Sequence, residues 1–173
     1  MKLTDHFDLE EFTKVNSVHL AVRPVQIILA TQLAETLELI RSKFNQVITI
    51  TSGIRTKDVV GVLKMDGYSP SLTSDHSYLD QEVYPFGVGA VDFYMENVPV
   101  KTVYEAITKD NNVLSNIYQA ILYPEKHFIH ISNRQSLVFS ETAMKIFKIA
   151  RYPKLVVSEN GVFKAASEGS WRG

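Results

Sequence analysis

The stretch RPVQIILATQLAETLELIRSKFNQ, residues 23–46, constrains this chain more than any other segment. Val25, Ile28, Leu29, Leu33, Leu37, Ile40 and Phe44 recur at steps of three and four residues, the spacing that places side chains on one face of an α-helix. Pro24 stands in what would be the first turn, where the missing amide hydrogen has no intrahelical partner to lose. Such a helix gains most of its stability from packing its apolar stripe, so the chain must supply a partner surface. QVITITSG at 46–53 follows at once, β-branched and ending in Ser-Gly, which predicts a strand and then a turn.

The other segments extend this pattern. TDHFDLEEFTK (4–14), with Thr4 or Asp8 as cap, predicts a short helix, and RTKDVVGVLKM (55–65) another, weakened by Gly61. DGYSPSLTSD (66–75) has loop composition, and GVGAVDFYM (87–95) has the pattern of a buried strand. Pro99 opens a helix in PVKTVYEAITKDN, whereas IYQAILYP and HFIHIS predict two strands about a turn at Pro124-Glu125. SETAMKIFKIAR (140–151) fits helix or strand equally, KLVVSENGVFKAA (154–166) fits a hairpin turning at Asn160-Gly161, and SEGSWRG fits a loose tail. The expected class is α+β, with N-terminal helices packed on a mostly antiparallel sheet.

Length and charge narrow the function. At 173 residues, without internal repeat or linker, the chain fits one domain. Eighteen basic against nineteen acidic residues leave a net charge of -1, which argues against a nucleic-acid partner. MKLTDHFDLEEF lacks the basic-then-apolar pattern of a signal peptide, and no run of about 18 apolar residues occurs. The expectation is a soluble protein with no membrane span.

There is no cysteine, so any metal ligands must be His, Asp or Glu. Histidines stand at 6, 19, 76, 127 and 130. His6 and His19 fit exposed surface positions. A zinc site of catalytic type takes three protein ligands and keeps a fourth position open. His76, Asp92 and one of His127 or His130 meet that inventory. Residues three apart on a regular strand face opposite ways, so His127 and His130 would not share a face without a bulge. Arg55, at the end of the TITSGI strand and turn, can grip a carboxylate or oppose an oxyanion, although a strand-end arginine is also an ordinary surface charge. GVGAVD starts like a dinucleotide fingerprint, but Asp92 holds its sixth position and strand rather than helix follows. Gly87 and Gly89 instead fit close backbone approach. No G-x-S-x-G elbow exists, and Ser74 lies too near His76 to serve as a nucleophile beside it.

Taken in order, FDLEEFTK, the long helix, ITITSGIRT, SDH, GAVDF and FIHIS resemble the zinc D-Ala-D-Ala carboxypeptidases and L-alanyl-D-glutamate peptidases that cut peptidoglycan stem peptides. The resemblance covers roughly residues 7 to 133. It implies the hedgehog/DD-peptidase fold over 1–133, with 134–173 a C-terminal extension packed on the same domain. It implies Zn2+ held by His76, Asp92 and His130, a peptidoglycan peptide as substrate, and Arg55 and Ser74 as substrate-binding groups. Arg55 would also stabilise the scissile carbonyl oxygen. The setting implied is a phage lysis or virion-associated protein acting at the bacterial cell wall, with phage structural proteins as partners.

The chain departs from the family pattern in three places. His76 and Asp92 are sixteen residues apart where relatives have seven, so SYLDQEVYPF is an insertion over the site. Val88 stands where the motif has glycine, with Gly89 one place later. Three residues before the last histidine, where many relatives carry a glutamate base, stands His127, with Glu125 two places earlier. Either Glu125 or His127 fits the base. The rival expectation is a structural or binding protein that keeps the fold without turnover.

Overall fold

The structure is a computed structural model that describes residues 1–15, 18–67, 74–78, 89–133 and 154–166. Five helices occur among them: α1 (Leu9–Thr13), α2 (Pro24–Phe44), α3 (Lys57–Met65), α4 (Val100–Thr108) and α5 (Asn111–Leu114). Strands β1 (Lys14–Val15) and β2 (Val18–His19) form a small antiparallel pair. The main sheet contains β3 (Ile48–Ser52), β4 (Ala90–Met95), β5 (Ile117–Tyr123), β6 (Phe128–Asn133), β7 (Lys154–Glu159) and β8 (Val162–Ala165). Their order is β3-β4-β6-β5-β7-β8, antiparallel throughout except for the parallel β5–β7 pair. The class is therefore α+β with a mostly antiparallel six-stranded sheet. Among the described residues, no helix is long and apolar enough to cross a membrane.

The helix α2 carries the expected stripe with one correction. Leu29, Leu33, Leu37 and Ile40 are fully buried, but Ile28 is 55% exposed. At 3.6 residues per turn Ile28 lies about 100° behind Leu29, whereas the buried arc runs the other way, through Ala30 and Ala34. Those small residues fill positions that a pattern of large apolar residues passes over. Asn45 ends the helix in the left-handed region, φ 50°, and its amide donates to Arg41 O.

Side chains alternate between the two faces of the sheet. Val91 and Phe93 of β4 and Ile129 and Ile131 of β6 join α2 and α4 in one apolar core. The residues between them, Asp92 and His130, face the other way and stand directly opposite each other across the β4–β6 pair. The pattern that buries the helix face thus delivers a carboxylate and an imidazole to the second face at a fixed separation.

The C-terminal hairpin is present as β7 and β8, with Asn160 (φ 50°) and Gly161 (φ 79°) both left-handed in its turn. It pairs with β5, so the part of the extension that is described belongs to the main sheet. The segments 79–88, 140–151 and 167–173, which carry most of the insertion, Gly87, Val88, the helix-or-strand alternative and the tail, lie outside the described residues.

Candidate metal centre

Three separate elements bring the donors together. His76 sits in a 3-10 turn, Asp75–Ser77, capped by Ser74, whose Oγ accepts from the His76 N–H at 3.4 Å. Tyr78 follows with φ 46°, fully buried, and its hydroxyl donates to Ala90 O at 2.8 Å. The turn is thereby fastened to the start of β4. Gly89 makes room for it, since a Cβ there would meet the Tyr78 ring at 3.0 Å.

His76 Nε2 lies 3.2 Å from Asp92 Oδ1 and 3.2 Å from His130 Nδ1, and His130 Nδ1 lies 2.8 Å from Asp92 Oδ1. A tetrahedral ion with bonds of about 2.0–2.1 Å has ligand-to-ligand edges of about 3.3 Å. The triangle of donors is close to one face of that tetrahedron, slightly contracted along the Asp92–His130 edge. All three residues are buried, with 2%, 7% and 8% of their surfaces exposed for His76, Asp92 and His130. Among the described residues, they form the group of convergent donors that can hold a metal ion.

The protonation states suit a cation. Burial pushes the His76 imidazole below its ordinary value, against the pull of the Asp92 charge. Burial alone would raise Asp92. Its contacts with His76 and His130 outweigh it and hold the carboxyl well below the usual carboxylate range. Arg55 donates from Nη2 to Asp92 Oδ2 at 3.0 Å, so we assign Asp92 as ionised and His76 as neutral. A carboxylate and neutral imidazoles are the forms a metal requires.

The turn after β3 orders both of these ligands. His76 Nδ1 lies 2.7 Å from Gly53 O, and a carbonyl accepts only, so Nδ1 carries the proton and Nε2 presents its lone pair. The Arg55 N–H donates to His76 O at 2.8 Å. The Arg55 side chain reaches Asp92 while its Nε donates to Ser52 Oγ at 2.9 Å. On the far side, the Ile54 N–H donates to Phe12 O at 2.7 Å. The SGIR segment therefore bonds to α1 and to two of the three candidate donors, His76 and Asp92.

The remaining candidates fall in two places. Ser74 caps the His76 turn through its hydroxyl. Glu125 and His127 are exposed in the β5–β6 turn, with His127 at φ 55° just ahead of the strand. Strand parity thus does not govern His127. Glu125 Oε1 accepts from the Asn160 N–H at 2.7 Å, on the β7 side of β6, opposite to the β4 side that carries Asp92. His6 is exposed and bonded to Glu38, and His19 lies on β2. Sequence reasoning missed Ser52, the Gly53 carbonyl and Tyr78. A carbonyl has no side-chain signature, and the one available signal was a glycine between a strand and the arginine. Compared with known protein families, with curated proteins and with solved structures, the chain matches none.

Proposed function

We propose that the chain is a zinc peptidase of the hedgehog/DD-peptidase fold that hydrolyses peptidoglycan stem peptides. The observation that carries this reading is the buried convergence of His76 Nε2, Asp92 Oδ1 and His130 Nδ1 within 3.2 Å of one another. Two imidazoles and one carboxylate suit zinc, and three protein donors leave a fourth position for substrate or water. A bound zinc ion would supply a Lewis acid for the peptide carbonyl and lower the pKa of a water beside it. The chain's own groups would do the rest. His76 and Asp92 are held in their ligating forms by Gly53 and Arg55, and Arg55, 22% exposed at its side chain, keeps donors for a substrate oxygen. Glu125 or His127 would carry the proton from water to the leaving amine once the β5–β6 turn bends towards the site. A phage lysis or virion-associated protein at the bacterial wall is the setting that goes with this activity.

Two observations favour a second reading, a binding or structural protein that retains the metal without turnover. Among the described residues the donor cluster holds no further carboxylate or imidazole that could act as base, and Glu125 is engaged by Asn160.

The deciding experiment is zinc content by elemental analysis, followed by digestion of purified peptidoglycan peptides. About one zinc per chain, lost in a His76→Ala variant that keeps its circular dichroism, is expected. Cleavage of the peptides that falls in Glu125→Gln or His127→Asn would identify the base. Zinc-loaded protein that cleaves none of the peptides would establish the second reading, and folded protein that takes up no zinc would sink both.

A further inference from the structure

Tyr123, which no sequence motif singles out, shares the sheet face of the metal donors. Its strand partner is Phe128, while Ile121, two residues before it, pairs with His130. Residues two apart share a face, so Tyr123, Phe128, His130 and Asp92 all project to the same side. Tyr123 and His130 are diagonal neighbours across the β5–β6 pair, about 7–8 Å apart and within reach of an aromatic side chain. The ring is fixed on three sides. It stacks on Phe128 at 4.5 Å, meets Phe163 of β8 edge-on at 6.2 Å, and has Lys126 Nζ 5.7 Å from its centre.

All of these contacts are made by the ring. Among the described residues the hydroxyl has no hydrogen-bond partner, in contrast to Tyr78, whose hydroxyl binds Ala90 O. The phenol is half-buried and lies within the field of the site. Burial raises its pKa first, the Asp92 charge raises it further, and the Arg55 charge lowers it. It therefore remains a proton donor across the physiological range.

Resting on the peptidase reading above, we propose that Tyr123 is a further substrate-contacting residue whose hydroxyl donates a hydrogen bond to the carbonyl oxygen of the bond being cut. Hydrolysis forms a C–O bond from water, breaks the C–N bond and leaves a water-derived proton on the departing amine. Between these events the carbonyl oxygen gathers negative charge, and a fixed donor aimed at that oxygen lowers the barrier more than it strengthens ground-state binding. Phe128 and Phe163 hold the donor in place before substrate arrives.

The test is Tyr123→Phe, which keeps the ring and its stacking and removes only the oxygen. Zinc stoichiometry and steady-state kinetics on the cleaved peptide are measured for both proteins. The expected result is unchanged zinc, KM within about twofold and kcat reduced on the order of 10²-fold, as for loss of one oxyanion donor. An active wild-type protein whose kcat survives the substitution would overturn the role of Tyr123 alone. So would a loss of kcat matched by a loss of zinc, since that would make the residue structural. A zinc-loaded wild-type protein without turnover would remove the peptidase reading, and this inference with it.

Discussion

Gly53→Ala tests how the β3–α3 turn builds the site. A Cβ at this position would lie 2.3 Å from Phe12 O, 2.7 Å from Phe12 Cα and 2.8 Å from Phe12 C. All three are backbone atoms, so no side chain can swing away, and relief requires α1 and the turn to part. Parting stretches the Ile54 N–H to Phe12 O bond, now 2.7 Å, and displaces the Gly53 carbonyl that fixes His76 Nδ1 at 2.7 Å. Overpacking of this kind costs about 1–3 kcal/mol and a lost hydrogen bond about 1 kcal/mol. The metal-free protein should therefore lose about 2–4 kcal/mol in urea denaturation. Zinc affinity, read by competition with a chromophoric chelator, should fall about 10–100-fold, the usual effect of removing an outer partner of a ligating histidine. Gly61→Ala is the control. Its Cβ would meet nothing within 4 Å in the interior of α3, so alanine should add up to about 1 kcal/mol through helix propensity. A Gly53→Ala protein within about 0.5 kcal/mol of the parent, with unchanged zinc affinity, would refute the reasoning.

Two further outcomes follow from individual contacts. Arg55→Ala leaves Asp92 Oδ2 buried without its 3.0 Å partner and should weaken zinc binding about 10–100-fold by calorimetry; Arg55→Lys should recover only part of this, since an ammonium cannot reproduce the fork between Ser52 and Asp92, and full affinity in the alanine variant would contradict the positioning role. For Glu38, burial alone would raise the carboxyl, but bonds from Thr4 Oγ1 and from the backbone and ring of His6 hold it below its ordinary 4.5. A depressed carboxyl contributes stability that is fully present above the unfolded value and lost as pH falls through the folded one. The parent should thus exceed Glu38→Gln by at most about 1 kcal/mol at neutral pH, the gap closing as pH falls below the ordinary 4.5; a gap that does not change with pH would show that the ionised form is not what the bonds select.

The long helix and the central strands were legible because their signals are local. The apolar steps of α2, the β-branched run of β3 and the Asn160-Gly161 turn each act within a few residues of themselves. What was not legible depends on partners distant in the chain. Ile28 looks like core by spacing, and only the side on which the sheet lies exposes it in favour of Ala30 and Ala34. The parallel pairing of β7 with β5 has no local signature either, because strand direction is decided by the route of the connection and not by the strand's own residues.

The site divides along the same line. Asp92 and His130 could be placed on one face from strand alternation, given that the two strands pair. His127 could not be placed, because its face depends on where the hairpin closes. The chain turns at His127 in the left-handed region and the strand begins one residue later. The direction of Glu125 is set by an amide 35 residues further on. The orientation of His76 depends on a carbonyl 23 residues earlier, so the residue type that encodes it is the glycine that lets the strand end press against α1. A search for acids and bases passes over that position, yet it decides which nitrogen of His76 faces Asp92 and His130. The chemistry of the candidate donor is thus written in His76 and its geometry in Gly53, and a substitution at either should reach the same cluster.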